Sequence, residues 1–196
     1  LSNFIFIIYI NTFFLFFISI IFIFILLNKI KHKDIVIVRS SIDNRNYICR
    51  KMEDAHLAAD KLAEINKRSL QLINCVKHSK RDNIERLKQR YNPGKLSETG
   101  LNAEYTSYSV NKGEEISICV RNKDNTFVDI NTIMFVVIHE LAHVITISIG
   151  HTKEFWDNMK YLLEEGEKCG IYKPINYNKY PVEYCGITIT STPYEF

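Results

Sequence analysis

The sequence predicts an α+β domain, in which a motif-bearing helix packs on a small, mostly antiparallel sheet, after an N-terminal transmembrane helix. Three observations lead to this prediction. The first charged residue is Lys29, so all 25 basic and 22 acidic residues follow an uncharged leader. Amphipathic helical patterns and a β-hairpin pattern then share the charged part. That part has about 165 residues, enough for one domain with its own core rather than two.

The composition excludes several classes of protein. A chain that is 46% hydrophobic and 24% charged is neither disordered nor collagen-like, and its single apolar segment excludes a multi-span channel. Its five cysteines include no CxxC pair, so we expect no disulfide or zinc-finger framework. The odd number of cysteines indicates reduced thiols and a domain that faces the cytosol.

The leader from Phe4 to Leu27 is apolar apart from three uncharged polar residues. At ~1.5 Å per residue, a helix of this length exceeds the ~30 Å hydrocarbon core of a bilayer. A cleaved signal peptide would show a basic n-region, a shorter apolar stretch and a small-residue cleavage site, which this sequence lacks. We therefore expect an uncleaved anchor that binds the membrane through residues 4–27.

The charges that flank the leader predict its orientation. Three lysines lie between residues 29 and 33, and no charge precedes the leader, so the domain should face the cytosol, or the interior of a virion. The sequence thus predicts a single-pass protein with three regions. These are an anchor at 1–28, a juxtamembrane linker or strand at 29–50, and a folded domain at 51–196.

The first half of the domain is predicted to be mainly helical. Ile35 to Val38 is a β-branched run that indicates a strand or linker. Met52 to Lys77 repeats apolar residues at close to 3.6 spacing, which predicts an amphipathic helix. Ser79 opens a second helical stretch with Asp82 three residues on, an acidic variant of the capping box. That helix should bury Ile84 and Leu87 and end at Asn92-Pro93-Gly94.

A β-hairpin is predicted from Tyr105 to Arg121. Tyr105 to Val110 and Glu115 to Arg121 are the two strands, and Asn111-Lys112-Gly113 is the turn between them. In the second strand apolar and other residues alternate, which predicts that one face is buried.

Two helices should follow the hairpin. Asn131 is a plausible N-cap for a helix from Thr132 to about Ile149, which Gly150 would end. Thr152 can cap a further helix whose apolar face includes Phe155 and Trp156. We expect both aromatic side chains to lie in the core and to fix the loop between the helices. The tail from residue 171 shows little periodicity.

The most informative motif is His139-Glu140-Leu141-Ala142-His143. On a helix the two histidines lie on one face, so both imidazoles can reach one ion at ~2.0–2.1 Å. Glu140 lies one position further round the axis, where its carboxylate would sit beside a metal-bound water rather than on the metal. It can then accept the proton of that water and pass it to a leaving amine.

A third ligand is needed, and His151 follows directly after Gly150, where the chain can turn sharply. Three histidines and an open fourth position are a catalytic zinc geometry rather than a closed structural one. Acidic residues of the next helix are alternative third ligands: Glu154, Asp157, Glu164 and Glu165. The competing interpretation of the motif is two core histidines that match by accident. In a chain with 6 histidines the HExxH pattern is expected about 0.01 times by chance.

The motif, together with the segment 150–156 that ends in Phe155-Trp156, resembles the WLM and SprT-like metallopeptidases. These families share HExxH, a short spacer and a third histidine ahead of an aromatic residue. The wider sequence, from about Val38 to Pro193, resembles a metallopeptidase family encoded by large DNA viruses. The stretches 105–114, 155–158 and 181–186 carry this second resemblance.

The resemblance implies a zincin-like fold, a bound Zn²⁺ and peptide hydrolysis. It assigns His139, His143 and His151 as metal ligands and Glu140 as the general base. It further implies that the strand from Glu115 to Arg121 is the edge strand on which an extended peptide lies.

The tail tyrosines Tyr180 and Tyr184 are candidates for stabilising the transition state, because tyrosines serve this role in some zincins. The alternative is that they simply pack in the tail. SprT-like members cleave DNA-crosslinked proteins, and we do not extend this activity to the chain. Its membrane anchor and the lack of a basic tract interleaved with aromatics give no support for nucleic-acid binding.

The sequence therefore predicts a membrane-anchored zinc metallopeptidase that hydrolyses peptide bonds of a protein or peptide substrate through a Glu140-activated water. The alternative function is a membrane-tethered scaffold, for example of a virion, with a metalloprotease-like fold and no significant proteolysis.

Overall fold

The computed structural model describes residues 15–24, 34–79 and 81–196 of the 196-residue chain. The chain divides into two units, 1–35 and 36–196. In the first unit, residues 15–24 form helix α1. Among the described residues, no helix combines the length and apolar character needed to cross a membrane. The expected anchor, residues 4–27, lies largely outside the described residues and stays a prediction.

The second unit is built on a five-stranded sheet. Its strands are β1 (Ile35–Arg39), β2 (Asn46–Arg50), β3 (Leu96–Glu98), β4 (Tyr108–Val110) and β5 (Glu115–Ile118), in the order β1-β2-β3-β5-β4. β3 pairs in parallel with β2 and β5, whereas β4 and β5 form the expected antiparallel hairpin. The sheet is therefore mixed, and the prediction of a mostly antiparallel sheet is wrong. A parallel neighbour needs a long crossover, and two helices provide it between β2 and β3.

The position of β5 also differs from the prediction. β5 lies between β3 and β4, so the edge strand on this side is β4 rather than the strand 115–121. Both faces of β5 are covered, because Ile116 and Ser117 are both buried. The alternation of residue types thus does not mark a solvent face, since a strand in the middle of a covered sheet buries both of its faces.

Four helices complete the domain: α2 (Ala55–Val76), α3 (Asp82–Arg90), α4 (Ile130–Ile145) and α5 (Lys153–Lys168). The expected positions of α2 and α5 are confirmed, and Thr152 caps α5 by accepting from the Phe155 amide. For α3, burial of Ile84 and Leu87 is confirmed, but its N-cap is Arg81 and no side-chain cap is formed there.

The ends of α4 differ from the prediction. Asp129, not Asn131, is its N-cap, and the Asp129 carboxylate accepts from the amides of Asn131 and Thr132. The Asn131 side chain instead bonds the backbone of Lys173. The helix ends at Ile145, four residues earlier than predicted, which leaves a loop that brings the chain back toward the helix.

Most of α4 is buried, and α5 packs closely against it. A Cβ on Gly166 of α5 would lie 3.2 Å from Ile138 Cδ1, so a glycine allows the two helices to approach. The tail adds a two-stranded hairpin, β6 (Val182–Tyr184) and β7 (Ile187–Ile189), although its sequence shows little periodicity. Within the region predicted as a linker or strand, β1 and β2 belong to the sheet.

The cysteines correct a further expectation. The structure pairs Cys75 with Cys169 and Cys119 with Cys185, and Cys49 is buried and free. The expectation of reduced thiols and no disulfide framework is therefore wrong. The partners are 94 and 66 residues apart in the sequence, so no local spacing could indicate the pairs.

A buried ion network joins the sheet to the start of α2. Arg121, which is 1% exposed, donates from Nε to Glu98 at 2.9 Å and from a guanidinium nitrogen to Asp54 at 2.6 Å. Glu98 also accepts from the Arg50 amide at 2.7 Å. Because each buried charge is paired, the removal of one partner leaves another uncompensated.

We expect Glu98→Leu to lower the free energy of unfolding by about 3–5 kcal/mol, because Arg121 would lose its fully buried carboxylate and keep only that of the partly exposed Asp54. The matched control is Asp157→Asn, which removes an exposed ion pair with Lys153 and should cost less than about 1 kcal/mol. Urea-induced unfolding, followed by the fluorescence of the single tryptophan, measures both. Equal effects of the two substitutions would contradict this account of the network.

Candidate metal centre

Three histidines converge at the C-terminal half of α4. His139 and His143 lie one turn apart on α4, and His151 returns from the loop between α4 and α5. The Nε2 atom of His151 lies 3.0 Å from that of His139 and 3.2 Å from that of His143. Among the described residues, this triad is the group of side chains that could hold a metal ion.

The geometry of the triad fits one tetrahedral ion. Bonds of ~2.0–2.1 Å at tetrahedral angles separate the ligand nitrogens by about 3.3 Å, close to the separations seen here. Burial, and then its two histidine neighbours, lower the pKa of His139 to about 3. Burial and the charge of His151 lower that of His143 to about 4. Both rings are therefore neutral at pH 7, the form that offers a lone pair to a metal.

The Phe155 ring of α5 packs against all three imidazoles. Its ring centroid lies 4.9 Å from that of His139, 4.3 Å from that of His143 and 4.7 Å from that of His151. Phe155 is fully buried, as predicted. Trp156 is 39% exposed, so its assignment to the core is wrong; its ring lies 5.5 Å from His151. The aromatic pair thus restricts the orientation of the imidazoles.

The loop that carries His151 is held from both sides. Lys112, in the turn between β4 and β5, donates from Nζ to the carbonyls of Thr146 at 2.9 Å and Ser148 at 2.8 Å. The Glu154 carboxylate accepts from the amides of Ile147 at 3.0 Å and Ser148 at 3.1 Å. We call these two side chains the loop clamp. Opposite charges therefore satisfy both the carbonyls and the amides of one short segment.

Gly150 completes the return of the chain. Its φ is +81°, in the left-handed region that favours glycine, as the predicted sharp turn requires. His151 follows at once and faces the two helical histidines.

Three of the four acidic residues considered as alternative third ligands make other contacts in the structure. Glu154 belongs to the loop clamp, Asp157 pairs with Lys153, and Glu165 pairs with Lys168. Glu164 is not part of the described metal-binding group. The geometry therefore favours His151 as the third ligand.

Glu140 is 5% exposed and lies beside the triad. Burial raises the pKa of its carboxyl to about 7, and hydrogen bonds from Ser109 of β4 act in the opposite direction. A carboxylate with such a pKa can accept a proton near neutral pH and release it again.

An open cleft of about 460 Å³ exposes the triad and Glu140. Residues of the β4 region form its other wall, and sequence reasoning missed their contribution: Tyr105, Tyr108, Ser109 and Lys112. The sequence predicts the hairpin but gives no signal for which of its strands lines the cleft.

Neither of the two tail tyrosines lines the open cleft. Tyr180 is 60% exposed and does not line the cleft. Tyr184 is fully buried, and its hydroxyl donates to the Cys119 carbonyl at 2.8 Å. Burial is the largest cause that raises the pKa of Tyr184. The structure thus brings neither hydroxyl to the triad, and their role as stabilisers stays a prediction.

Two histidines on a buried helix and a third on the loop that follows, beside a mixed sheet and an open cleft, define a domain of metallopeptidase type. The chain belongs to the WLM domain family, whose family model matches residues 53–180. Protein R325 of Acanthamoeba polyphaga mimivirus is 34% identical over 163 residues, which cover 78% of this chain and 81% of R325. The expected resemblance to WLM proteins and to proteins of large DNA viruses is confirmed.

Two further relatives match shorter parts. Protein 136R of Invertebrate iridescent virus 6 is 34% identical over 92 residues, covering 44% of this chain and 51% of that protein. Protein 042R of Invertebrate iridescent virus 3 is 44% identical over 69 residues, covering 35% and 43%. A crystal structure of a Wss1 mutant from Saccharomyces cerevisiae shares 20% identity, covers 50% of this chain and 82% of that one, and has a TM-score of 0.36.

We expect Lys112→Met to weaken zinc binding by about 10- to 100-fold, because the loop that carries His151 would lose one half of its clamp. The matched control is Lys153→Met, since Lys153 is exposed and pairs only with Asp157 among the described contacts. Competition with a chromophoric chelator measures the affinity of each variant. Unchanged zinc affinity in a folded Lys112→Met protein would show that the loop clamp does not support the metal site.

Proposed function

We propose that the chain is a zinc-dependent metallopeptidase that hydrolyses peptide bonds of protein or peptide substrates. The observation that carries this proposal is the convergence of three histidine Nε2 atoms beside a buried glutamate in an open cleft. A closed structural site would have four protein ligands and no cleft.

His139, His143 and His151 would hold the ion. When bound, zinc supplies a Lewis acid that polarises a carbonyl and makes a water molecule more acidic. The neutral imidazoles, the Phe155 ring against them and the loop clamp keep the site ordered. This order matters because ligand misplacement weakens both metal binding and catalysis.

Glu140 would act as the general base and then as the general acid. Its carboxylate can take a proton from an attacking water and deliver it to the amine that leaves. Its position on α4, next to His139 but outside the triad, means that the carboxylate is not needed as a metal ligand. The raised pKa supports both halves of the proton transfer.

The substrate would bind along the edge strand β4. One side of β4 pairs with β5, and its other edge borders the cleft through Tyr108 and Ser109. An extended peptide that pairs with such an edge gains main-chain hydrogen bonds and a fixed register. The edge-strand role predicted for residues 115–121 therefore passes to the preceding strand.

Glu140→Gln should keep zinc and lower the rate of peptide hydrolysis by about 10²- to 10⁴-fold, because the amide cannot accept the proton. The measurement combines metal content with cleavage of an unstructured protein such as casein. The double variant His139→Ala/His143→Ala serves as control and should lose both zinc and hydrolysis.

Cleavage by Glu140→Gln at the wild-type rate would refute the proposed role of Glu140. A zinc-loaded wild-type protein that cleaves nothing would refute the peptidase proposal and favour a scaffold function.

A further inference from the structure

A second cavity, of about 170 Å³, adjoins the cleft at the candidate catalytic groups, with which it shares lining residues. Ser107, His139 and Glu140 line both the cleft and this cavity. A substrate bound along the cleft would therefore pass the mouth of the cavity at the reacting bond. We call this cavity the side pocket.

Apart from Thr106 and the three residues shared with the cleft, the side pocket is lined by apolar and aromatic side chains. Phe135 and Val136 of α4 lie one helical turn before His139 and Glu140, so they continue the same face of the helix away from the cleft. The C-terminal hairpin forms the opposite wall with three side chains: Tyr184, Ile187 and Ile189.

The polar atoms at the back of the pocket bond to one another. The Tyr184 hydroxyl donates to the Cys119 carbonyl at 2.8 Å, and Ser107 Oγ accepts from the Cys119 amide at 3.1 Å. The two hydroxyl oxygens lie 2.8 Å apart, so Ser107 can donate to Tyr184. These groups already have hydrogen-bond partners within the protein. An apolar group that enters the pocket therefore leaves none of them without a partner.

The hairpin wall is fixed to the rest of the domain. Tyr184 pairs with Ile187 across the hairpin, and the next residue, Cys185, is joined to Cys119 at the end of β5. A hydrogen bond from the Tyr184 hydroxyl and a disulfide from Cys185 therefore both join this wall to Cys119. A pre-formed pocket costs little conformational entropy when a ligand binds.

We propose that the side pocket binds one substrate side chain next to the scissile bond and selects branched aliphatic or aromatic residues. This inference rests on the proposed peptidase function. A cavity of roughly 150 Å³ lined by aliphatic and aromatic side chains holds a benzene-sized molecule, which matches a leucine or phenylalanine side chain. Discrimination by such a pocket is worth about 10- to 200-fold in kcat/KM.

The experiment uses the zinc-loaded full chain in a non-ionic detergent and a set of decapeptides with one varied position. The varied residue, Phe, Leu, Ala or Asp, is placed on either side of the cleaved bond. We expect kcat/KM to be at least about 10-fold higher for Phe or Leu than for Ala at one of the two positions, with Asp lowest.

Two variants and one control locate this selectivity. Val136→Phe should fill the pocket, and Ile187→Ser/Ile189→Ser should make its wall polar. Each should reduce the preference for Phe over Ala to within about 3-fold. Thr188→Ala is the matched control, because Thr188 lies between the two isoleucines but bonds Glu183 and does not line the pocket. If both pocket variants lose the preference, misfolding of one variant cannot explain the result.

Failure of the pocket and failure of the peptidase proposal give different results. Cleavage without an apolar preference, or a preference that both pocket variants keep, overturns the side pocket and leaves the peptidase intact. If the wild type cleaves no peptide, the fluorescently labelled Phe and Ala peptides are compared by binding. Tighter binding of the Phe peptide that Val136→Phe abolishes supports the pocket, and equal binding overturns it.

Discussion

The Nε2 atom of His151 lies 3.0–3.2 Å from those of His139 and His143. Three imidazoles this close can share few hydrogen bonds among themselves, whereas a cation between them satisfies every lone pair. Much of the domain serves this convergence. The helical spacing of α4 places two of the rings, and the early end of α4 at Ile145 gives the chain room to bring back the third. Phe155 supports all three rings from below.

The same arrangement links the metal centre to the substrate strand. Lys112 lies in the turn that joins β4 to β5, and it holds the loop that precedes His151. The edge strand and the third ligand are therefore fixed to one another by a single side chain. Glu154, which resembles a metal ligand in the sequence, completes this clamp through the loop amides.

The sequence predicted those parts of the domain that depend on local chemistry. The periodicity of α2, the Thr152 cap, the hairpin and the HExxH spacing all rest on residues within one or two turns of each other. It failed where distant segments meet. The order of strands, the disulfide between Cys119 and Cys185 and the side pocket each join parts of the chain that no local pattern relates. Asp129 was missed as the cap of α4 because Asn131 offers similar chemistry two residues later.

The most direct test of the central claim is X-ray absorption at the zinc edge, on the full chain loaded with one zinc. We predict four nitrogen or oxygen ligands at ~2.0–2.1 Å, three of which show the ring scattering of imidazole. His151→Ala should remove one imidazole from this spectrum. Sulfur ligands, or a spectrum that His151→Ala leaves unchanged, would contradict the site described here.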